Sequence, residues 1–364
     1  MSALLPHLIE RIQTTGPLSI AEYMQECLLH PTHGYYATRD PFGADGDFTT
    51  APEISQMFGE LLGLCLAQAW LDRDAPKSFI LAEPGPGRGT LMADIMRATR
   101  SVPGFHAAAN LYLIEASATL RGVQKETLAD YDVTWCDAIS DLPHGTLLLV
   151  ANEFLDALPI RQFLRDGTGW RERRVGLPET PDTLIFGAGE STQIPALAHR
   201  LHDTKYGDLV EINAAARATA TEISQRIARD GGLALLVDYG SWHSTGDTFQ
   251  ALKSHQFIDP LLQPGDADLT AHVDFEPLTE EAETAGIHAS GLTHQGVLLE
   301  RLGITGRAQA LAANMTGETL DAHISAHRRL THPEEMGTLF KALALFAKGT
   351  PPPPGFNPPG ANSV

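Results

Sequence analysis

Four short apolar runs between residues 78 and 153, SFILAE, LYLIE, YDVTWC and TLLLVANE, leave few architectures open to this chain. Helical spacing fills the intervals near 90–100 and 117–130. Apolar runs of this length read as buried strands, and strands that alternate with helices imply a parallel sheet with right-handed crossovers. A doubly wound α/β fold is the expectation. Further along, LALLVDYG reads as another buried strand ending in an acid, and alternation around DGTG predicts an antiparallel hairpin with an extra strand.

Upstream, LLPHLIERIQ, SIAEYMQECLLH and SQMFGELLGLCLAQAWLD carry apolar residues at helical intervals. Between the second and third lies HPTHGYYATRDPFGADGDFTTAPEIS, whose Gly, Pro, Asp and Thr content marks a loop, and long loops are often functional. Downstream, a helix is expected near 275–285, IHASGLT is strand-like, and EEMGTLFKALALFAKG reads as helical before a short terminal strand or loop. The tail TPPPPGFNPPGANSV reads as disordered or extended.

With 364 residues, 43% of them hydrophobic, the chain can bury a large core. Its 45 acidic against 26 basic residues give a net charge of −19, which disfavours nucleic acid and anionic membranes and attracts a basic peptide or protein. Cys27, Cys65 and Cys136 are far apart and odd in number, so neither a disulfide framework nor a zinc site is expected, and no metal is assigned. The longest apolar run, TLLLVA, is too short to span a bilayer. The start, MSALLPHLIERIQTTG, lacks the features of a signal or transit peptide, so a cytoplasmic location is expected.

The first strand runs into ILAEPGPGRGT, with glycines at 85, 87 and 89. A P-loop needs a lysine that is missing here. A dinucleotide fold needs a third glycine five positions after the first, where this chain has Thr90, and Glu83 beside the turn would repel a pyrophosphate. S-adenosylmethionine carries no phosphate but has a sulfonium and an ammonium, so an acid beside the turn favours it. Glu115, ending the second strand, stands where Rossmann-type sites bind ribose hydroxyls, and Asp137 follows the third strand, where the adenine amino group would lie. Arg88 opens a helix, an unfavourable end for a cation, and is expected to meet an anion, either the cofactor carboxylate or a nearby acid.

After the fourth strand, ANEFLDALP sets Asn152, Glu153 and Asp156 at the carboxyl edge of the sheet. A guanidinium is a planar fork of donors that stays protonated, so methylating one requires carboxylates to clamp it, a task suited to Glu153 and Asp156. An ordinary helix N-cap cluster is the alternative. Asp238 and His255 are second-line candidates.

GDFTTAPEISQMFGE, EPGPGRGTLMADIMRA, NEFLDALP and DLTAHVDF, with HPTHGYY before them and VDYG at 237–240, resemble in order and spacing the MidA-like methyltransferases. That family includes a mitochondrial complex I assembly-factor protein arginine methyltransferase. The resemblance covers residues 5–348 and implies a class I Rossmann-like methyltransferase fold with a helical N-terminal extension and inserted antiparallel strands and helices. The implied organisation is an extension with a cofactor-covering loop over 1–76, a methyltransferase domain over 77–348 with insertions near 160–205 and 250–300, and a Pro-rich tail over 349–364. It further implies S-adenosyl-L-methionine as cofactor, with Gly85, Gly87 and Gly89 under its methionine moiety, Glu115 at the ribose and Asp137 at the adenine. Asp47, Thr49 and Glu53, in the segment that would fold over the cofactor, are candidates for lining the site. The implied partner is a protein substrate, a respiratory complex I subunit among the possibilities. Pro84 departs from the leucine common in the family.

Two rivals are a nicotinamide-dependent oxidoreductase and a non-catalytic assembly chaperone that keeps the fold to grip a client. The second would be expected to have lost the glycines or the acids, and all are present. A homodimer built on the helical N-terminus or on the insertion after the fourth strand is also compatible with the sequence.

Overall fold

The computed structural model describes residues 2–38, 49–243 and 245–360. The chain divides into two units interleaved in sequence, one of residues 1–48, 156–216 and 243–273, the other of 49–155, 217–242 and 274–364.

The second unit is built on a sheet whose six longest-ranging strands we label in chain order: β1 (Phe79–Pro84), β2 (Ala109–Ile114), β3 (Val133–Cys136), β4 (Leu147–Asn152), β5 (Gly232–Ser241) and β6 (Phe340–Phe346). Their spatial order is 3-2-1-4-5-6. β1 pairs in parallel with β2 and β4, β2 with β3, and β5 with β4, while β6 runs antiparallel to β5. β1, β4 and β6 are buried at every position, as expected of strands covered on both faces. The doubly wound α/β expectation holds, and its strand order reverses between β1 and β4, the crevice where such folds bind ligands.

Of the helices in this unit, α1 (Ala51–Ile54), α2 (Gln56–Leu71), α3 (Thr90–Thr99) and α4 (Ala118–Thr127) position the site. α2 is apolar around most of its circumference and accordingly buried on nearly every side. Gly59 and Gly63, one turn apart, let it lie directly on α3: a Cβ on Gly59 would sit 2.6 Å from the Asp94 Cβ, and one on Gly63 2.9 Å from the Ile95 Cα.

Two expectations fail in this unit. EEMGTLFKALALFAKG is not a helix: it makes one helical turn, Met336–Leu339, and then becomes β6. A short apolar run carries no periodicity that separates a buried strand from a buried helix. Residues 351–360 are not a loose tail either. Phe356 joins the core, Asn357 bridges to Gly291, and Arg301 Nη1 donates to Asn357 Oδ1 at 2.8 Å.

The other unit holds helices Leu5–Thr15 and Ile20–Leu29, with Ser19 and Glu22 forming a reciprocal capping box on the second. The hairpin expected around DGTG is present, Arg161–Asp166 against Gly169–Gly176, and Ile185–Thr192 supplies the extra strand. All three cysteines are buried and unbonded. No helix among the described residues is long and apolar enough to cross a membrane.

Candidate active site

The carboxyl ends of β1 to β4 bring most of the candidate residues onto one edge of the second unit. β1 delivers Glu83 and then the glycine turn, in which Gly85, Gly87 and Gly89 all have positive φ, and Gly89 is the N-cap of α3. Gly85 has φ +62°, and a Cβ there would lie 2.8 Å from Phe154 Cδ2. Pro84 now has a physical explanation. Along β1 the N–H groups alternate sides: Ile80 donates to Thr146 at 2.8 Å toward β4, and Gly85 to Ile114 at 3.0 Å toward β2. Pro84 falls on the β4 side, where pairing already ended at Ala82, so its missing N–H breaks no ladder bond.

Glu83 is almost wholly buried, and burial drives its carboxyl well above the usual range, partly offset by a hydrogen bond from the Met92 backbone N–H in the first turn of α3. Its Oε2 is buried with no hydrogen-bond partner. An orphaned carboxylate oxygen beside a glycine turn is costly unless a cation or donor completes it. Glu115 is likewise buried, which raises its pKa against the opposing pull of Ser117 N, Gln124, Ala116 N and Arg121. Its Oε1 accepts from Ser117 N at 2.8 Å, so the acid is fixed at the N-terminus of α4.

Asp137 is exposed and ion-paired with Arg121 at 2.5 Å. The same guanidinium donates to the Glu115 carbonyl at 2.7 Å and the Cys136 carbonyl at 3.0 Å. Arg121 thus ties the ends of β2 and β3 together. Arg88 is half-buried in the glycine turn.

At the end of β4, Asn152 is buried and donates through Nδ2 to Glu153 Oε1 at 2.9 Å. Glu153 has φ +50°, unusual for a residue with a Cβ, and is pinned by its N–H to Val237 O at 2.9 Å. Its Oε1 also accepts the Ala51 N–H at 3.0 Å, so the carboxylate anchors the start of α1. From α1, Glu53 accepts the Thr90 hydroxyl at 2.5 Å, at the first residue after the glycine turn. Thr49 is half-buried just before α1, and Asp47 lies outside the described residues.

Asp156 belongs to the other unit, where it is buried and its carbonyl accepts Ala271 N at 3.0 Å. Of the second-line candidates, Asp238 is buried and accepts the backbone N–H groups of Leu155 and Tyr239, each at 2.9 Å, while His255 is exposed between two short strands.

Residues 61–293 match the model of the S-adenosyl-L-methionine-dependent methyltransferase family. The chain belongs to that family. The mitochondrial protein arginine methyltransferase NDUFAF7 of Danio rerio is 38% identical over 94% of this chain and 87% of its own length, and the human protein of that name is 35% identical over 95% and 84%. A protein from Burkholderia thailandensis, described as a methyl transferase and crystallised with S-adenosylhomocysteine, superimposes with a TM-score of 0.83 at 28% identity, covering 97% of this chain and 94% of that one.

This methyltransferase therefore uses S-adenosyl-L-methionine on a Rossmann-like fold, and its residues fit that cofactor: the turn leaves no room for a Cβ at Gly85, and the orphaned Glu83 oxygen asks for a cationic donor. The oxidoreductase and chaperone readings give way. The cytoplasmic expectation is also overturned, because the relatives are named mitochondrial proteins. An inference from the composition of the first sixteen residues does not withstand that finding.

Behind the glycine turn, α3 carries a buried acid that sequence reasoning missed. Asp94 is pushed up to about 6 by burial, against the pull of Arg97 at 2.5 Å, with Glu60 and Glu53 nearby. Glu60 in turn receives a two-pronged contact from Arg307 at 2.8 and 3.0 Å. Because the folded-state pKa of Asp94 exceeds its ordinary 3.8, the folded form holds the proton more tightly. Its contribution to stability is full below pH about 4 and is lost as pH rises toward 6, on the order of 2 kcal/mol. Asp94→Asn should remove that part of the slope, gaining on the wild type between pH 4 and pH 8 in denaturant titrations; parallel pH profiles would contradict the assignment.

In the other unit, His7, Glu26 and His30 bring ligand atoms within 4.8 Å of one another. His30 Nδ1 accepts the backbone N–H groups of Thr32 and His33, and Arg11 pairs with Glu26. Metal-binding histidines usually donate from their second nitrogen to a carbonyl or carboxylate, whereas Nδ1 of His30 accepts.

Proposed function

We propose that this methyltransferase transfers the cofactor's methyl group to an arginine nitrogen of a protein. The observation that carries the reading is the Glu153 carboxylate at the carboxyl edge of β4, held at φ +50° by Val237 and Asn152 on the side of the sheet that carries the glycine turn. S-adenosyl-L-methionine supplies an electrophilic methyl carbon on a sulfonium.

The chain's residues do the rest. Glu83 holds the cofactor's ammonium through its orphaned oxygen, Glu115 takes the ribose hydroxyls, and Asp137 with Arg121 borders the adenine. Gly85, Gly87, Arg88 and Gly89 form the floor, and Thr49 and Glu53 line the approach, with Asp47 retained as a candidate beside them. Glu153, steadied by Asn152, accepts two N–H groups of the guanidinium and aims the remaining nitrogen at the methyl carbon. Asp156 is retained from the sequence argument as a second acid for the substrate. Alignment of this kind contributes about 7 to 11 kcal/mol in favourable cases. After transfer, the nitrogen bears extra positive charge and releases a proton to solvent or to Glu153.

The named activity of the zebrafish and human relatives supports arginine as acceptor. The net charge of −19 supports a basic protein client. A core subunit of respiratory complex I is the client that the family resemblance suggests, and the helical N-terminal region and inserted strands are the surfaces proposed for that client or for a homodimer.

The test uses cofactor carrying an isotopically labelled methyl group and a lysate from cells lacking the gene. Mass spectrometry should find label on arginine in a small set of proteins. Label confined to lysine, carboxylates or small molecules would overturn the arginine assignment while leaving the methyltransferase intact.

A further inference from the structure

Gln124 lies in α4, completely buried, with both atoms of its amide engaged. Nε2 donates to the Gly87 carbonyl at 2.8 Å and to Glu115 Oε2 at 3.2 Å. Oε1 accepts the Trp135 indole N–H at 2.9 Å. The glycine turn after β1, the acid after β2 and a side chain of β3 therefore converge on one amide.

Glutamine in a helix usually faces water, and a buried amide persists where its donors and its acceptor are all satisfied. We propose that Gln124 is a positioning residue for the cofactor: it sets the separation between the Gly87 backbone and the Glu115 carboxylate, and acts on binding through Glu115. The proposal rests on the reading of Glu115 as the ribose acid.

The chemistry of the position favours an amide. An arginine or lysine would cancel the charge of Glu115 and compete with ribose hydroxyls for its oxygens. A carboxylate would face both Glu115 and the Gly87 carbonyl with no donor to offer. The amide engages Glu115 as a neutral donor and leaves its charge in place. Trp135 then decides which way the amide points, because an indole N–H can only donate and so requires the oxygen on its side.

The experiment measures S-adenosylhomocysteine binding to the full chain by calorimetry in wild type, Gln124→Glu, Gln124→Met, Trp135→Phe, Glu115→Ala and the double variant Gln124→Met with Glu115→Ala. Gln124→Glu and Gln124→Met should each weaken binding at least tenfold, and Trp135→Phe about threefold. In the Glu115→Ala background the effect of Gln124→Met should shrink to within twofold, the non-additivity expected of residues acting as one unit.

If Glu115→Ala binds as wild type does, the ribose assignment itself is wrong. If Glu115→Ala weakens binding and the Gln124 variants do not, the positioning role is wrong. An equal loss from Gln124→Met in both backgrounds makes Gln124 a packing residue and overturns action through Glu115. Should Gln124→Glu fail to fold, Gln124→Met, which nearly keeps the volume, and Trp135→Phe, which removes the indole donor, introduce no charge and decide the matter by the same criteria.

Discussion

Gly85→Val is expected to abolish cofactor binding in the micromolar range while leaving the sheet folded. At φ +62° a β-branched residue is strained by about 1 to 3 kcal/mol. Its Cβ would also meet Phe154 Cδ2 at 2.8 Å, an overlap that costs typically 1–3 kcal/mol more. Relief requires the turn or the Phe154 ring to move, and movement of the turn carries the Gly87 and Gly89 backbone away from the cofactor. Together these terms weaken binding by roughly a hundredfold or more, at tenfold per 1.4 kcal/mol. Calorimetry with S-adenosylhomocysteine, beside a circular dichroism spectrum, checks it. Wild-type affinity in the variant would mean that the turn does not carry the cofactor.

Glu153 should separate chemistry from binding. Its Oε1 accepts both Ala51 N and Asn152 Nδ2, so truncation to alanine removes the substrate acid and an anchor of α1 at once. Glu153→Gln retains an acceptor oxygen for Ala51 but loses the charge and replaces the other oxygen with an NH2 donor. We expect Glu153→Gln to lower the rate of methyl transfer by about 10²–10³, the usual loss when one charge-stabilising group is removed, with S-adenosylhomocysteine affinity within threefold of wild type. Glu153→Ala should lose as much turnover and weaken the cofactor as well, because Glu53 and Thr90 depend on α1. Single-turnover rates with labelled cofactor and an arginine-containing substrate protein decide it. Unchanged turnover in Glu153→Gln would remove Glu153 from the chemistry.

Much of the site was legible because its chemistry is local. An acid at a strand end, three glycines after it and a helix after those form one continuous stretch, and the backbone constraints on Gly85 and Gly89 follow from residue type alone. Gln124 and Arg121 were not legible. Both are polar residues in the middle of a helix, where the ordinary expectation is a solvated face, and only packing against β2 and β3 turns them inward. Asp94 escaped for the same reason, since Glu60, the acid beside it, and Arg307, which pairs with Glu60, lie far away in sequence.

FKALALF shows the limit from the other side. Its composition suits a buried helix or a buried strand, and the edge of β5 decides between them by offering a ladder of unpaired backbone groups. Pro84 is similar: a missing N–H matters only if a neighbour needs it, and the neighbour's extent is a property of the sheet.

The sequence by itself determined the alternation of strand and helix, the glycine turn with its acid, and the preference for a cationic cofactor, because these depend on residue type and short-range spacing. Only the tertiary structure decided that Glu83 keeps an unsatisfied oxygen, that Glu153 is held at positive φ while anchoring α1, and that one buried amide links the turn to Glu115. Burial and hydrogen-bond completion are properties of what surrounds a group, and those surroundings come from strands and helices that lie far apart in the chain.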